Sequence, residues 1–158
     1  MDVHTVEQRS RNMSAIRGRD TKPEMRVRSV LHSLGYRYRL HRKDLPGKPD
    51  IVLPKYHTVI FVHGCFWHCH ECRWGRVIPE TRAAFWADKR RGTTERDARN
   101  IEALEAAGWH VLVIWECQSR LDEELRAILT SQLRHSLDAI AVSVPDTFVV
   151  GDVPDKST

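Results

Sequence analysis

Residues 63–72 read HGCFWHCHEC, placing three His, three Cys, one Glu and an adjacent Phe-Trp pair within ten positions. Thiolates and imidazoles are the ligands of structural zinc, which takes four of them in a tetrahedron. The pool here is Cys65, His68, Cys69, His70, Cys72 and, much later in the chain, Cys117. A local set completed by one distant Cys would tie a loop to a strand end, so that metal binding closes a long stretch of chain. Cys65, His70, Cys72 and Cys117 make a Cys₃His site. Cys65, Cys69, Cys72 and Cys117 make a Cys₄ site that frees every His, and spacing alone does not choose between the two. Imidazoles also transfer protons near neutral pH, which gives His63 and His68 a second possible use.

A second feature lies just upstream. LPGKPD (45–50) is a turn that delivers Asp50 to the start of the apolar run Ile51-Val52-Leu53. An acid at such a place, followed by a second buried strand, resembles the core of the PD-(D/E)xK nucleases. There a carboxylate holds Mg²⁺ beside a scissile phosphate, where the ion neutralises charge and activates water. The acid and Lys expected on the next strand are absent. Val62 stands in place of the acid, and His63 and His68 are the nearby polar groups.

These residues need a scaffold to bring them together. Thr21 with Glu24 forms a capping box, and Pro23 sits in a first turn where its missing N–H costs little. Val27, Val30, Leu31 and Leu34 then recur at helical spacing, predicting a helix over about 22–34. YRYRL (36–40) alternates as a strand does. HTVIFVHG (57–64) and WHVLVIWEC (109–117) are β-branched, apolar runs suited to buried strands. One or two helices are expected between them, with Ile101 and Leu104 on the inner face and Gly108 as the stop. Residues 121–137 are amphipathic through Leu121, Leu125, Ile128, Leu129 and Leu133. The order predicts an α/β fold, a small central mixed sheet flanked by helices. Residues 1–20 read as a basic arm, 21–140 as the main domain, and 141–158 as a peripheral tail. Trp109 and Trp115 are expected in the core, and Arg96 and Asp97 on a solvated helix face.

The composition fits a soluble protein of one domain, with 41% hydrophobic and 29% charged residues. No run of about 20 apolar residues and no secretion signal is evident, so a reducing cytoplasm is expected, where Cys and His together favour metal over disulfides. Residues 1–50 hold 12 Lys and Arg against 6 Asp and Glu, while the remainder holds 13 against 15. A basic N-terminal third suits a polyanion, nucleic acid first. Arg9, Arg11, Arg17 and Arg19 are candidates for phosphate contacts, which give affinity but little sequence choice.

Taken together, SRNMSAIRGRDTKPE, LPGKPDIVLPKYHTVIFVHGCFWHCHEC, ETRAAFW, ERDARN and GWHVLVIWEC resemble the very-short-patch repair (Vsr) endonucleases, collinearly from about residue 8 to 120. The resemblance implies a restriction-endonuclease-like fold with one structural Zn²⁺. It implies a Mg²⁺-dependent nick in double-stranded DNA, 5′ of the T of a T·G mismatch left by deamination of 5-methylcytosine. Carried over by position, Asp50 matches the Mg²⁺-binding aspartate and His68 the proton-transferring histidine. Val62 stands where a Thr is familiar and would serve Mg²⁺ through its backbone carbonyl. Cys65, His70, Cys72 and Cys117 match the zinc ligands. Phe66, Trp67 and Trp86 match aromatics that wedge into the base stack, and Glu24 and His63 match polar residues near the scissile phosphate. Cys69 stands where the family can have His. A bacterial, nucleoid-associated monomer is expected, with general mismatch-repair proteins as further partners. The alternatives are a methyltransferase-associated restriction-type nuclease of the same fold and a zinc-stabilised DNA-binding module without catalysis.

Overall fold

The computed structural model describes residues 5–14 and 18–142. Helices α1 (Val6–Ser14) and α2 (Lys22–Ser33) come first, followed by strands β1 (Arg39–Leu40), β2 (Ile51–Leu53) and β3 (Thr58–His63). Then come helix α3 (Ala83–Ala106), strand β4 (His110–Trp115) and helix α4 (Asp122–Val142). The strands form one sheet in the order β1-β2-β3-β4. β1 pairs antiparallel with β2, and β2 with β3. β3 and β4 are parallel, as the long crossover through α3 requires, with Thr58 opposite His110 and His63 opposite Trp115.

The alternation of side chains along the strands sorts the core into two layers. Ile51, Leu53, Ile60, Leu112 and Ile114 face one way, against Val27, Val30 and Leu31 of α2 and Leu125, Leu129 and Leu133 of α4. Val52, Val59 and Phe61 face the other way, against Leu104 of α3, with Ile101, Trp109, Val111 and Val113 packed around them. The fold is therefore a mixed sheet between α2 and α4 on one face and α3 on the other. That is the expected α/β class.

α2 begins where the capping box placed it. The Thr21 hydroxyl accepts a hydrogen bond from the Glu24 amide at 3.4 Å, and Pro23 lies in the first turn. YRYRL pairs only at Arg39 and Leu40. Tyr36 and Tyr38 pack against the core from outside the sheet, Tyr36 with its ring edge-to-face on Tyr56. The segment between the two parallel strands carries a single 24-residue helix. The Arg17 position and the tail from 143 onward lie outside the described residues. Among the described residues, no helix is long and apolar enough to cross a membrane.

Candidate active site and metal cluster

The parallel pairing of β3 and β4 makes both strands end at the same edge, and the candidate chemistry gathers there. Cys65 lies two residues beyond β3, and Cys117 two residues beyond β4 in a short 3₁₀ turn, Glu116–Ser119. The Cys117 amide donates to Cys65 Sγ at 3.4 Å, and Cys117 Sγ lies 3.5 Å from His70 Nδ1. Cys65, His70, Cys72 and Cys117 offer ligand atoms that all lie within 4.8 Å of one another. Cys69 is exposed, with a left-handed backbone (φ +56°), and stands outside this group. Of the two sets that spacing left open, it is the residues of the Cys₃His set that the structure brings together.

The electrostatics suit a cation. Burial pushes the Cys65 thiol up to about 12, so its charged form is disfavoured unless a cation compensates it. Burial acts in the same sense on Cys72, but hydrogen bonds that its sulfur accepts from His70 and from the Gly75 and Trp74 amides overcome it and lower that thiol to about 6. The loop depends on Gly75, where an added Cβ would fall 1.8 Å from the His70 carbonyl oxygen. Arg90 of α3 holds the same loop by donating to the carbonyls of Gly75 and, at 2.9 Å, Val77. The His70 ring stacks on Trp115 with centroids 4.3 Å apart.

Beside the cluster is a cavity of about 340 Å³ whose lining includes Asp50, Val62, His63, His68 and Asp97. Asp50 sits at the entry to β2, and its Oδ2 accepts the Val62 amide of β3 at 2.8 Å. Its carboxyl is pushed up to about 6, first by burial and further by the nearby charge of Glu24, against the opposing pull of the Val62 hydrogen bond. A half-buried carboxylate in this state gains from a cation, and a hard ion such as Mg²⁺ binds through one or two carboxylates completed by water and phosphate oxygens. The residues therefore fit the expected ion.

His68 Nδ1 lies 2.5 Å from Asp97 Oδ2. An ionised carboxylate only accepts hydrogen bonds, so Nδ1 carries the proton and Nε2 is left to act on a substrate. His63 is buried and stacks on His68, with centroids 3.8 Å apart and planes within 5°. Burial, reinforced by the neighbouring His68, lowers His63 to about 4, so at neutral pH it is an uncharged platform under His68. Glu24 is 2% exposed, ion-paired with Arg28 and 3.1 Å from His41 Nε2. It neighbours Asp50 electrostatically but is engaged by this cluster, which Asp20 joins through Arg28 at 2.8 Å.

Phe66, Trp67 and Trp86 form one half-buried group, with centroid separations of 5.2, 5.9 and 5.7 Å. The sequence reading missed the polar residues that surround it. Lys89 lies over the rings of Trp67, Trp86 and Phe85, and Arg90 over Phe66 at 4.7 Å. The solvated face expected of α3 holds for Arg96, which is exposed. It does not hold for Asp97, which bonds His68. The signal was present as periodicity: Trp86, Lys89, Arg90 and Asp97 are separated by 3, 4, 7 and 11 residues, the spacings of one helical face. Arg9 falls on α1, and Arg11 and Arg19 are exposed on the N-terminal side.

The family model "DNA mismatch endonuclease Vsr" matches residues 1–74. A type II nicking enzyme of Xanthomonas oryzae pv. oryzae, V.XorIIP, is 50% identical over 132 residues, covering 81% of this chain and 96% of the relative. The chain belongs to the Vsr endonuclease family. The DNA mismatch endonuclease Vsr of Escherichia coli is 48% identical over 124 residues, 78% of this chain and 79% of its own length. V.NmeAIP, a type II nicking enzyme of Neisseria meningitidis, is 43% identical over 139 residues, 88% of this chain and 99% of its own. This Vsr-family protein is thus a DNA endonuclease, and the Asp50–His68–Asp97 cavity is its candidate active site.

Proposed function

We propose that the protein nicks one strand of duplex DNA on the 5′ side of the T in a T·G mismatch, and so starts short-patch repair of deaminated 5-methylcytosine. The observation that carries this reading is the convergence, in one cavity, of the Asp50 carboxylate with a His68 whose proton is fixed by Asp97. The three-ring group projects from the same loop and helix. The relatives' names, a mismatch endonuclease and strand-nicking enzymes, point the same way.

In this reading Asp50 and the Val62 backbone carbonyl would hold Mg²⁺, which would supply positive charge to offset that of the scissile phosphate. His68 Nε2 takes the proton of the attacking water as the new P–O bond forms. The P–O3′ bond breaks, and its electron pair passes to O3′, which is protonated from solvent. Asp97 stabilises the imidazolium that forms on His68. Phe66, Trp67 and Trp86 enter the base stack, which costs a few kcal/mol and least at a mispaired step. Arg9, Arg11, Arg17 and Arg19 bind phosphates along the duplex. Cys65, His70, Cys72 and Cys117 would hold a structural zinc ion, which would fix the loop presenting Phe66, Trp67 and His68. Glu24 acts on the site through its charge, next to Asp50. The protein works as a monomer in the bacterial cytoplasm, since one active site suffices for one nick.

A strand-resolved nicking assay tests this directly. Duplexes with one T·G mismatch in varied flanking sequence are compared with T·A and C·G controls, with Mg²⁺ or EDTA, for wild type and Asp50→Ala. The expected result is a Mg²⁺-dependent nick 5′ of the T that Asp50→Ala abolishes. Tight binding without a nick on any mismatch would refute it.

A further inference from the structure

Phosphodiester hydrolysis builds negative charge on the non-bridging oxygens of the phosphate, and a positioned cation lowers the barrier. β3, which follows the Asp50 strand, carries no Lys or Arg anywhere in Thr58–His63. The lining of the cavity nevertheless includes a lysine. Lys48 lines it together with Asp50, His63, His68 and Asp97, and is the one Lys or Arg among its described lining residues.

Three further observations bear on Lys48. Its backbone is held in the left-handed region at φ +50°. That conformation costs a non-glycine residue about 1–2 kcal/mol, and such outliers concentrate where function requires them. The turn enforces it. Gly47 precedes at φ +71°, and a Cβ there would lie 2.9 Å from the Asn100 side chain of α3. The Lys48 amide donates to the Leu45 carbonyl at 3.1 Å, and Pro49 is buried behind it. Finally, the Lys48 side chain is exposed and forms no ion pair or side-chain hydrogen bond among the described residues. Arg28, Arg42, Arg90 and Arg91, by contrast, are each committed to carboxylates or carbonyls of the protein. The turn therefore presents a strained, uncommitted cation two residues before Asp50, at the cavity where the phosphate would sit.

We propose that Lys48 is a catalytic residue. It replaces the ammonium missing from β3 by reaching the same phosphate from the turn before β2, and donates a hydrogen bond to a non-bridging oxygen of the scissile phosphate as the P–O3′ bond breaks. Lys48 stays protonated throughout, while the water's proton passes to His68 as described above. The inference rests on the nicking activity proposed above.

The test is single-turnover cleavage of a T·G duplex at saturating enzyme and Mg²⁺ by wild type, Lys48→Met and Lys48→Arg. Binding is measured separately in Ca²⁺. Each variant is also given duplexes with a phosphorothioate of either configuration at the scissile position. Lys48→Met is expected to cut about 10²-fold more slowly, the cost of removing one oxyanion donor. Its affinity for DNA and its melting temperature should stay near wild type, with partial recovery in Lys48→Arg. The slowing caused by sulfur in one of the two configurations should shrink in Lys48→Met, because the contact that sulfur weakens is already gone. A slowing of less than about tenfold, a loss confined to affinity, or an unchanged response to sulfur would overturn the role of Lys48 while leaving the endonuclease reading intact. A wild type that cuts no mismatch would overturn both.

Discussion

Replacing Asp50 by Asn should abolish cleavage and at the same time stabilise the metal-free protein. Burial raises the Asp50 carboxyl from the usual 3.8 to about 6. At about 1.4 kcal/mol for each tenfold, this corresponds to about 3 kcal/mol by which the ionised carboxylate opposes folding. The native state holds its proton up to about pH 6, whereas the unfolded chain releases it near 3.8. The penalty is thus absent below pH 4, grows as pH rises through that window and is complete above it. Asn keeps an oxygen to accept the Val62 amide, bonded at 2.8 Å in the wild type, and carries no charge. For a protein of this size 1 kcal/mol moves the melting temperature by roughly 2–4 °C, so Asp50→Asn should melt about 6–12 °C higher than wild type at pH 8 in EDTA. The gap should close at pH 4. Millimolar Mg²⁺ should narrow it at pH 8 by stabilising the wild type alone. Thermal melts across pH, with and without Mg²⁺, measure all of this. An Asn variant no more stable than wild type at pH 8, or equally more stable at pH 4 and pH 8, would refute the burial account of the site.

Other parts of the structure lend themselves to equally direct tests. Asp97→Asn removes the acceptor that fixes the His68 tautomer. Turnover should fall by two orders of magnitude or more, by analogy with other His–Asp pairs, while DNA affinity stays unchanged in a binding assay. Phe66→Ala with Trp67→Ala should reduce the preference for mismatched over paired duplex and lower turnover at saturating DNA; an unchanged kcat would detach the wedge from the alignment of His68. Cys72→Ser should abolish stoichiometric zinc, read by elemental analysis, and lower the melting temperature, whereas Cys69→Ser should retain both metal and stability. Leu129→Ala, at a fully buried position between α4 and the sheet, should cost about 2–5 kcal/mol in chemical denaturation.

Much of this molecule could be read before its structure. The two parallel strands announced themselves as apolar β-branched runs, because a strand covered on both faces has no polar side to display. The α2 start followed from local chemistry at Thr21, Pro23 and Glu24, which needs no tertiary context. β1 was overestimated, since Tyr36 and Tyr38 alternate like strand residues yet spend their rings on the core outside the sheet. Spacing left two candidate ligand sets, and the resemblance favoured Cys65, His70, Cys72 and Cys117; the structure brings these four together and leaves Cys69 outside, a placement that residue spacing does not carry. Asp97 was assigned to solvent because a charged residue on a long polar helix usually belongs there. Its partner His68 is 29 positions away, brought near by the crossover. Lys48 was passed over within a turn, because its importance comes from the cavity the turn faces.

The register of β3 against β4 has a consequence for assembly. His63 lies opposite Trp115, and the first candidate metal ligand beyond each strand follows two residues later, so the two sulfurs meet only when the strands are in step. A slip by one residue would both part Cys65 from Cys117 and turn each strand's core residues to the wrong face. Joining these strands requires the whole crossover, the slow, long-range event in such a fold. Capture of the proposed ion would therefore wait on that long-range step and then lock it. Metal content would then report correctly threaded chains, and a growing chain cannot offer the complete cluster until Cys117 has been made.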